Sequence, residues 1–95
     1  EFKPVAGIRL ARVLLAMNKP ADALKALDAV TAEQYKATVA EVRGDALLAS
    51  AQPEKARAAY VVALQASKNG ANPVLQMKLD DLSVAGEKAD TPKAK

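Results

Sequence analysis

Met17-Asn18-Lys19-Pro20-Ala21-Asp22-Ala23-Leu24-Lys25-Ala26-Leu27 lies over Ser50-Ala51-Gln52-Pro53-Glu54-Lys55-Ala56-Arg57-Ala58-Ala59-Tyr60 at a shift of 33 residues. In both copies a proline interrupts a run of helix-forming residues. Proline suits the first turn of a helix, where its missing N–H has no partner to lose, and it disfavours helix in the residue before it. Each copy therefore reads as the end of one helix, a tight break and the start of the next. The same shift takes Leu14 to Leu47, Ala16 to Ala49 and Ala11 to Gly44. The stretch is repeated, and each copy is a helical hairpin.

Apolar residues recur at helical spacing on both sides of these breaks. A first helix runs from Val5 through Ile8, Leu10, Ala11, Leu14 and Leu15, and a second carries Ala23, Leu24, Leu27 and Val30. Thr31 reads as the N-cap of a third helix, with Gln34 completing a capping box. That helix carries Tyr35, Val39, Val42, Ala46, Leu47 and Leu48 and ends near Ser50. The fourth holds Ala56, Ala59, Tyr60, Ala63 and Leu64, with a stop expected at Asn69-Gly70. Asn72-Pro73 opens a fifth helix with Leu75, Leu79 and Leu82. The expected layout is hairpins over about 5–30 and 32–68, a capping helix over about 73–84 and a disordered polar tail, Gly86–Lys95. The fifth helix covers the open edge of the last hairpin, as solenoids require. Nothing covers the first helix, which predicts apolar exposure around Val5 and Ile8. The chain then reads as the end of a longer array, able to dimerise through that edge.

Composition agrees with an all-α fold. The 95 residues include 22 alanines, three aromatic residues and no tryptophan. Alanine has the best helix propensity and lets helices approach closely, whereas strand-favouring residues are scarce. Histidine and cysteine are absent, which removes the commonest general base, the thiol nucleophile and the usual zinc, haem and iron–sulfur ligands. No enzyme activity, cofactor or metal is expected. The net charge of +3 is spread among interleaved acids and bases. Without a basic stripe or stacking aromatics, nucleic-acid binding is not expected. No apolar run approaches the ~20 residues of a membrane span, and no signal peptide is visible. Because the chain begins at Glu1 rather than methionine, any membrane anchor is expected upstream of it.

The repeat resembles the tetratricopeptide (TPR) pattern, in which small residues mark the crossing of two helices and an aromatic follows on the second. The first copy has Leu10-Ala11, Leu14, Ala23 and Leu27, and the second Arg43-Gly44, Leu47, Ala56 and Tyr60. Two positions depart from the pattern. Its tryptophan position holds Gly7 and Ala40, and its closing proline position holds Tyr35 and Lys68. The period also fits ankyrin repeats, but their Thr-Pro-Leu-His signature is missing and the helices are too long.

Four segments narrow the resemblance: Ile8–Ala16, Arg43–Ala49, Ala56–Tyr60 and above all Leu75-Gln76-Met77-Lys78-Leu79-Asp80-Asp81-Leu82. Together they are similar to the C-terminal periplasmic TPR domain of YfgM-type proteins, the ancillary subunits of the bacterial Sec translocon. The resemblance implies a single-pass inner-membrane anchor upstream, a periplasmic location, and SecYEG and the chaperone PpiD as partners. It further implies a role in handing newly translocated proteins to chaperones. The competing reading is a generic TPR adaptor or a lipoprotein in envelope assembly.

In a TPR solenoid the inner face is built from the first helix of each hairpin. By repeat position it comprises Ile8, Arg12 and Leu15, then Glu41, Asp45 and Leu48. Apolar walls with charges of both signs suit an extended peptide or a partner helix. A plainer expectation is that Arg12 and Asp45, at equivalent positions, form an inter-repeat salt bridge. Glu41 and Asp45 stand four apart on one face, where like charges repel weakly. Lys78, Asp80 and Asp81 read as a solvated face of the fifth helix. Arg43-Gly44-Asp45 spells an adhesion tripeptide but falls mid-helix, where the glycine is better explained by a close helix crossing.

Overall fold

The computed structural model describes residues 2–67 and 72–82. Four long helices follow in order: α1 (Phe2–Ala16), α2 (Pro20–Asp28), α3 (Lys36–Ala49) and α4 (Pro53–Ala66), with a 3₁₀ turn over Glu33–Tyr35 before α3. A fifth, α5, runs over 73–82. Among the described residues there is no strand. The expected Asn69-Gly70 stop and the Gly86–Lys95 tail lie outside the described residues.

The two proline breaks fold identically because the chain reverses there by the same hydrogen bonds. The N–H of Lys19 donates to the Leu14 carbonyl at 2.8 Å, and that of Asn18 to Leu15 at 2.9 Å. One repeat later, Gln52 donates to Leu47 at 2.9 Å and Ala51 to Leu48 at 3.0 Å. This pair of bonds, six-to-one and five-to-two, is a Schellman stop. It requires a left-handed residue, and Asn18 and Ala51 both have φ 62. Lys19 and Gln52 then leave the helical region, with φ −122 in both, and their carbonyls accept from Ala23 (3.0 Å) and Ala56 (2.9 Å), opening α2 and α4 behind the prolines.

Side-chain size sets how closely the paired helices pack. A Cβ on Gly7 would lie 2.6 Å from Val30 Cγ2. The shift-equivalent pair is Ala40 and Ala63, both buried. A glycine facing a valine in one hairpin is exchanged for two alanines in the next, as close packing demands. Likewise a Cβ on Gly44 would lie 2.5 Å from Tyr60 Cε1. The corresponding residues of the first hairpin are Ala11 and Leu27, both fully buried.

The core forms two clusters that meet at α3. Val39, Val42 and Ala46 pack with Ile8, Ala11, Ala23, Leu27 and Val30. Ala40, on another side of α3, packs with Ala56, Tyr60, Ala63, Leu75 and Leu82. α5 therefore does seat on the second hairpin, as its Leu75 and Leu82 suggested. Asn72 caps it, with Oδ1 accepting from the Leu75 N–H at 3.1 Å.

Three local expectations are corrected. Thr31 is not an N-cap: Ala32 is extended, a 3₁₀ turn intervenes, and no side chain caps either helix start. Val30 is not on α2 but two residues beyond it, drawn into the core at 8% exposure. The open apolar strip of α1 is not Val5 and Ile8. Ile8 is buried, and Val5 is half-buried. The strip is Leu10 and Val13 of α1 with Met17 one residue past its end, spaced i, i+3, i+7 on another side of the helix.

Candidate partner-binding face

The inner-face residues come from α1 and α3, the first helices of the two hairpins. Repeat geometry carries Arg12 to Asp45 and Leu15 to Leu48. Arg12 and Leu48 are exposed, whereas Leu15 is half-buried against the first core cluster. Ile8 belongs to that core and presents no surface. Of the six expected positions, Arg12, Leu15 and Leu48 keep open surface, while Glu41 and Asp45 enter a charged cluster.

That cluster centres on Lys78 of α5. Its Nζ donates to Glu41 Oε2 at 2.9 Å and to Asp45 Oδ1 and Oδ2 at 3.1 and 3.3 Å. It also sits 5.7 Å from the Tyr60 ring centroid, within reach of a cation–π attraction. The Tyr60 hydroxyl donates to Asp45 Oδ1. Four residues from three helices thus share one polar cluster above the Gly44–Tyr60 contact. Burial pushes the Tyr60 phenol far up, and the Asp45 hydrogen bond adds to the shift by favouring the protonated form. For Lys78, burial alone lowers the pKa, but hydrogen bonds to Glu41 and Asp45 outweigh it, so the net shift is upward.

Three expectations change here. The salt-bridge partner of Asp45 is Lys78 rather than Arg12. Glu41 and Asp45 are not a solvated repelling pair, because one ammonium lies against both. Nor does Lys78 share the solvated face of Asp80 and Asp81, which are exposed. The signal was present in the sequence: the 33-residue shift, taken once more from Asp45, reaches Lys78. Arg12, Asp45 and Lys78 occupy equivalent repeat positions with alternating sign, and α5 is placed as the first helix of a third repeat. Elsewhere, Arg43 and Asp28 join the hairpins at 3.1 Å, and Arg57 donates to the Leu82 carbonyl at 3.3 Å, tying α4 to the end of α5.

The small residues at the helix crossings, the Schellman stops and the third-repeat placement of α5 recur at one period. The sequence family described as a tetratricopeptide repeat-like domain matches residues 1–84. The chain belongs to that family. This TPR-like domain is also 36% identical over 85 residues to the ancillary SecYEG translocon subunit of Escherichia coli (strain K12). The match takes in 88% of the domain and 41% of that relative, so the domain spans about two fifths of the relative's length. No solved structure matched it. Among its described residues, no helix is long and apolar enough to cross a membrane, and no three His, Cys, Asp or Glu side chains gather as a metal site.

Proposed function

We propose that this TPR-like domain is the protein-interaction part of an ancillary Sec translocon subunit. It works at the periplasmic face of the bacterial inner membrane, held there by an anchor outside the 95 residues. Its partners are SecYEG and PpiD, and it helps pass newly translocated proteins to chaperones. The observation that carries this reading is the 36% identity to the E. coli ancillary SecYEG translocon subunit.

The inner face supplies the means. Lys78 pairs with both Glu41 and Asp45 and offsets one of their two negative charges, while Arg12 stands as the exposed cation among the apolar Leu15 and Leu48. An extended or helical partner segment would lay apolar side chains on Leu15 and Leu48 and set a carboxylate against Arg12. Lys78 holds α5 against α3 and so fixes one wall of this face.

Site-specific photocrosslinking in cells tests the proposal. A benzoylphenylalanine at the exposed Leu48 of the full-length protein should capture a SecYEG subunit or PpiD. An Arg12→Glu change on the same protein should weaken that capture at least tenfold. Capture of neither partner would sink the assignment. Capture that ignores Arg12→Glu would keep the partners and remove the inner face as their site.

A further inference from the structure

The second site of interest lies on the opposite side of α3. α2 spans 9 residues, whereas its repeat counterpart α4 spans 14. The chain leaves α2 early because Val30 turns into the core. The turns that α2 lacks leave a gap beside α3 and α4. An open pocket of about 420 Å³ fills this gap, floored by Val30, Val39, Ala40, Ala59 and Val62. That volume is within the range of ligand sites. Four of the five floor residues sit at only 7–9% exposure, and Val62 stands at its edge at 43%. The pocket-lining residues of α3, Lys36, Val39, Ala40 and Arg43, lie roughly 150° around the helix from Glu41, Asp45 and Leu48. The pocket is therefore separate from the inner face.

Three charged side chains rim the pocket: Glu33, Lys36 and Arg43. Lys36 meets Glu33 only at 4.0 Å, with both side chains largely exposed, and such a pair contributes little. Arg43 gives one terminal nitrogen to Asp28, which leaves donors of its guanidinium free. Both cations lie on the α3 side of the pocket mouth, one helical turn to either side of Val39 and Ala40.

We propose that this pocket binds a short amphipathic helical segment of another protein, with large apolar side chains on one face and carboxylates on its flank. The repeat supplies the template for the occupant. The segment takes the place of the absent turns of α2, continuing the α2–α3 packing along α3 and α4. Its apolar side chains rest on Val39, Ala40, Ala59 and Val62, and its carboxylates meet Lys36 and Arg43. This inference does not depend on the translocon assignment.

Two peptides of about 14 residues provide the probe, with identical leucine positions at helical spacing and a polar face of glutamate in one and lysine in the other. Methyl and amide spectra of the isotope-labelled 95-residue chain report where each binds. The glutamate peptide should shift Val39, Ala40, Ala59 and Val62, with at least tenfold tighter binding than the lysine peptide. Val62→Glu should weaken it at least tenfold while leaving the far-UV circular dichroism unchanged. Lys36→Glu should narrow the preference between the two peptides, and adding Arg43→Glu should reverse it; the single variant decides the point if the double variant does not fold. Absence of pocket shifts at millimolar peptide overturns the proposal, as does equal binding of the two peptides. Shifts confined to Arg12, Leu15 and Leu48 overturn it too, and would favour the inner face instead.

Discussion

Gly44 shows how one atom sets the spacing of a helix pair. Its missing Cβ leaves room for a Tyr60 ring that is 1% exposed, and a Cβ would overlap two ring carbons at 2.5 and 2.6 Å. Gly44→Ala should therefore cost about 2 kcal/mol by overpacking. The first hairpin already carries the compatible combination, alanine with leucine. In a Tyr60→Leu background, Gly44→Ala should be neutral or stabilise by up to ~1 kcal/mol, because alanine is then free to express its helix propensity. Urea unfolding of the four-member cycle measures this, and an equal cost in both backgrounds would exclude the contact as the cause. Ala51 carries a different local cost. It occupies the left-handed conformation that Asn18 occupies one repeat earlier, and asparagine tolerates that conformation where alanine is strained. Ala51→Asn should stabilise by about 0.5–1 kcal/mol, raising Tm by about 2–8 °C. A lowered Tm in calorimetry would mean that the turn is not strained at Ala51.

At the scale of elements, α5 is held by leucines below and by Lys78 above. Leu75 and Leu82 supply non-directional burial, whereas Lys78 fixes which side of α5 meets α3, because its ammonium reaches Glu41 and Asp45 together. The two members of the cluster with ordinary pKa values in the alkaline range, Tyr60 and Lys78, are shifted upward. A group with a raised folded-state pKa keeps its proton longer in the folded state than in the unfolded chain. Its stabilisation is complete below the unfolded value, about 10 for both groups, and is lost as the pH climbs through the folded one. The domain should therefore hold its stability up to about pH 10 and lose it steeply above. Tyr60→Phe and Lys78→Met should each flatten that alkaline decline. At neutral pH, Lys78→Met should cost about 1 kcal/mol, reduced by salt because the pair is partly exposed. Urea midpoints at about pH 8 and about pH 11, with and without added salt, give both readings. An alkaline slope unchanged in both variants would show that other groups drive it.

Over the whole molecule, α3 is the shared member. One side belongs to the first core cluster and another to the second, so each hairpin is completed by a neighbour rather than by itself. This is the nearest-neighbour logic of a solenoid. It also divides the surface. On the first helices Arg12, Leu15 and Leu48 keep open surface, while the short α2 opens the apolar pocket across α3. The Leu10, Val13 and Met17 strip lies on the α1 side, where the array has no further helix among the described residues.

Much of this was legible along the chain. The 33-residue shift, the proline breaks and the small residues at the crossings are local patterns, and local patterns specify helices, stops and their pairing. The hairpins, the seating of α5 and the Asn72 cap follow from them. The inner face was legible only as a set of positions. Arg12 and Leu48 are open, but Ile8 is core, because exposure depends on which neighbour covers a residue. The position of Lys78 was encoded one repeat beyond Asp45, yet its reach to Glu41 and Asp45 depends on how α5 docks. Likewise the sequence carries no stop signal that ends α2 at Asp28. That end, and with it the pocket, was decided in three dimensions, where burying Val30 outweighed extending the helix. By itself the sequence determined the repeat and its register. Tertiary packing decided which side chains face water and which charges meet, since both depend on distances between residues far apart in the chain.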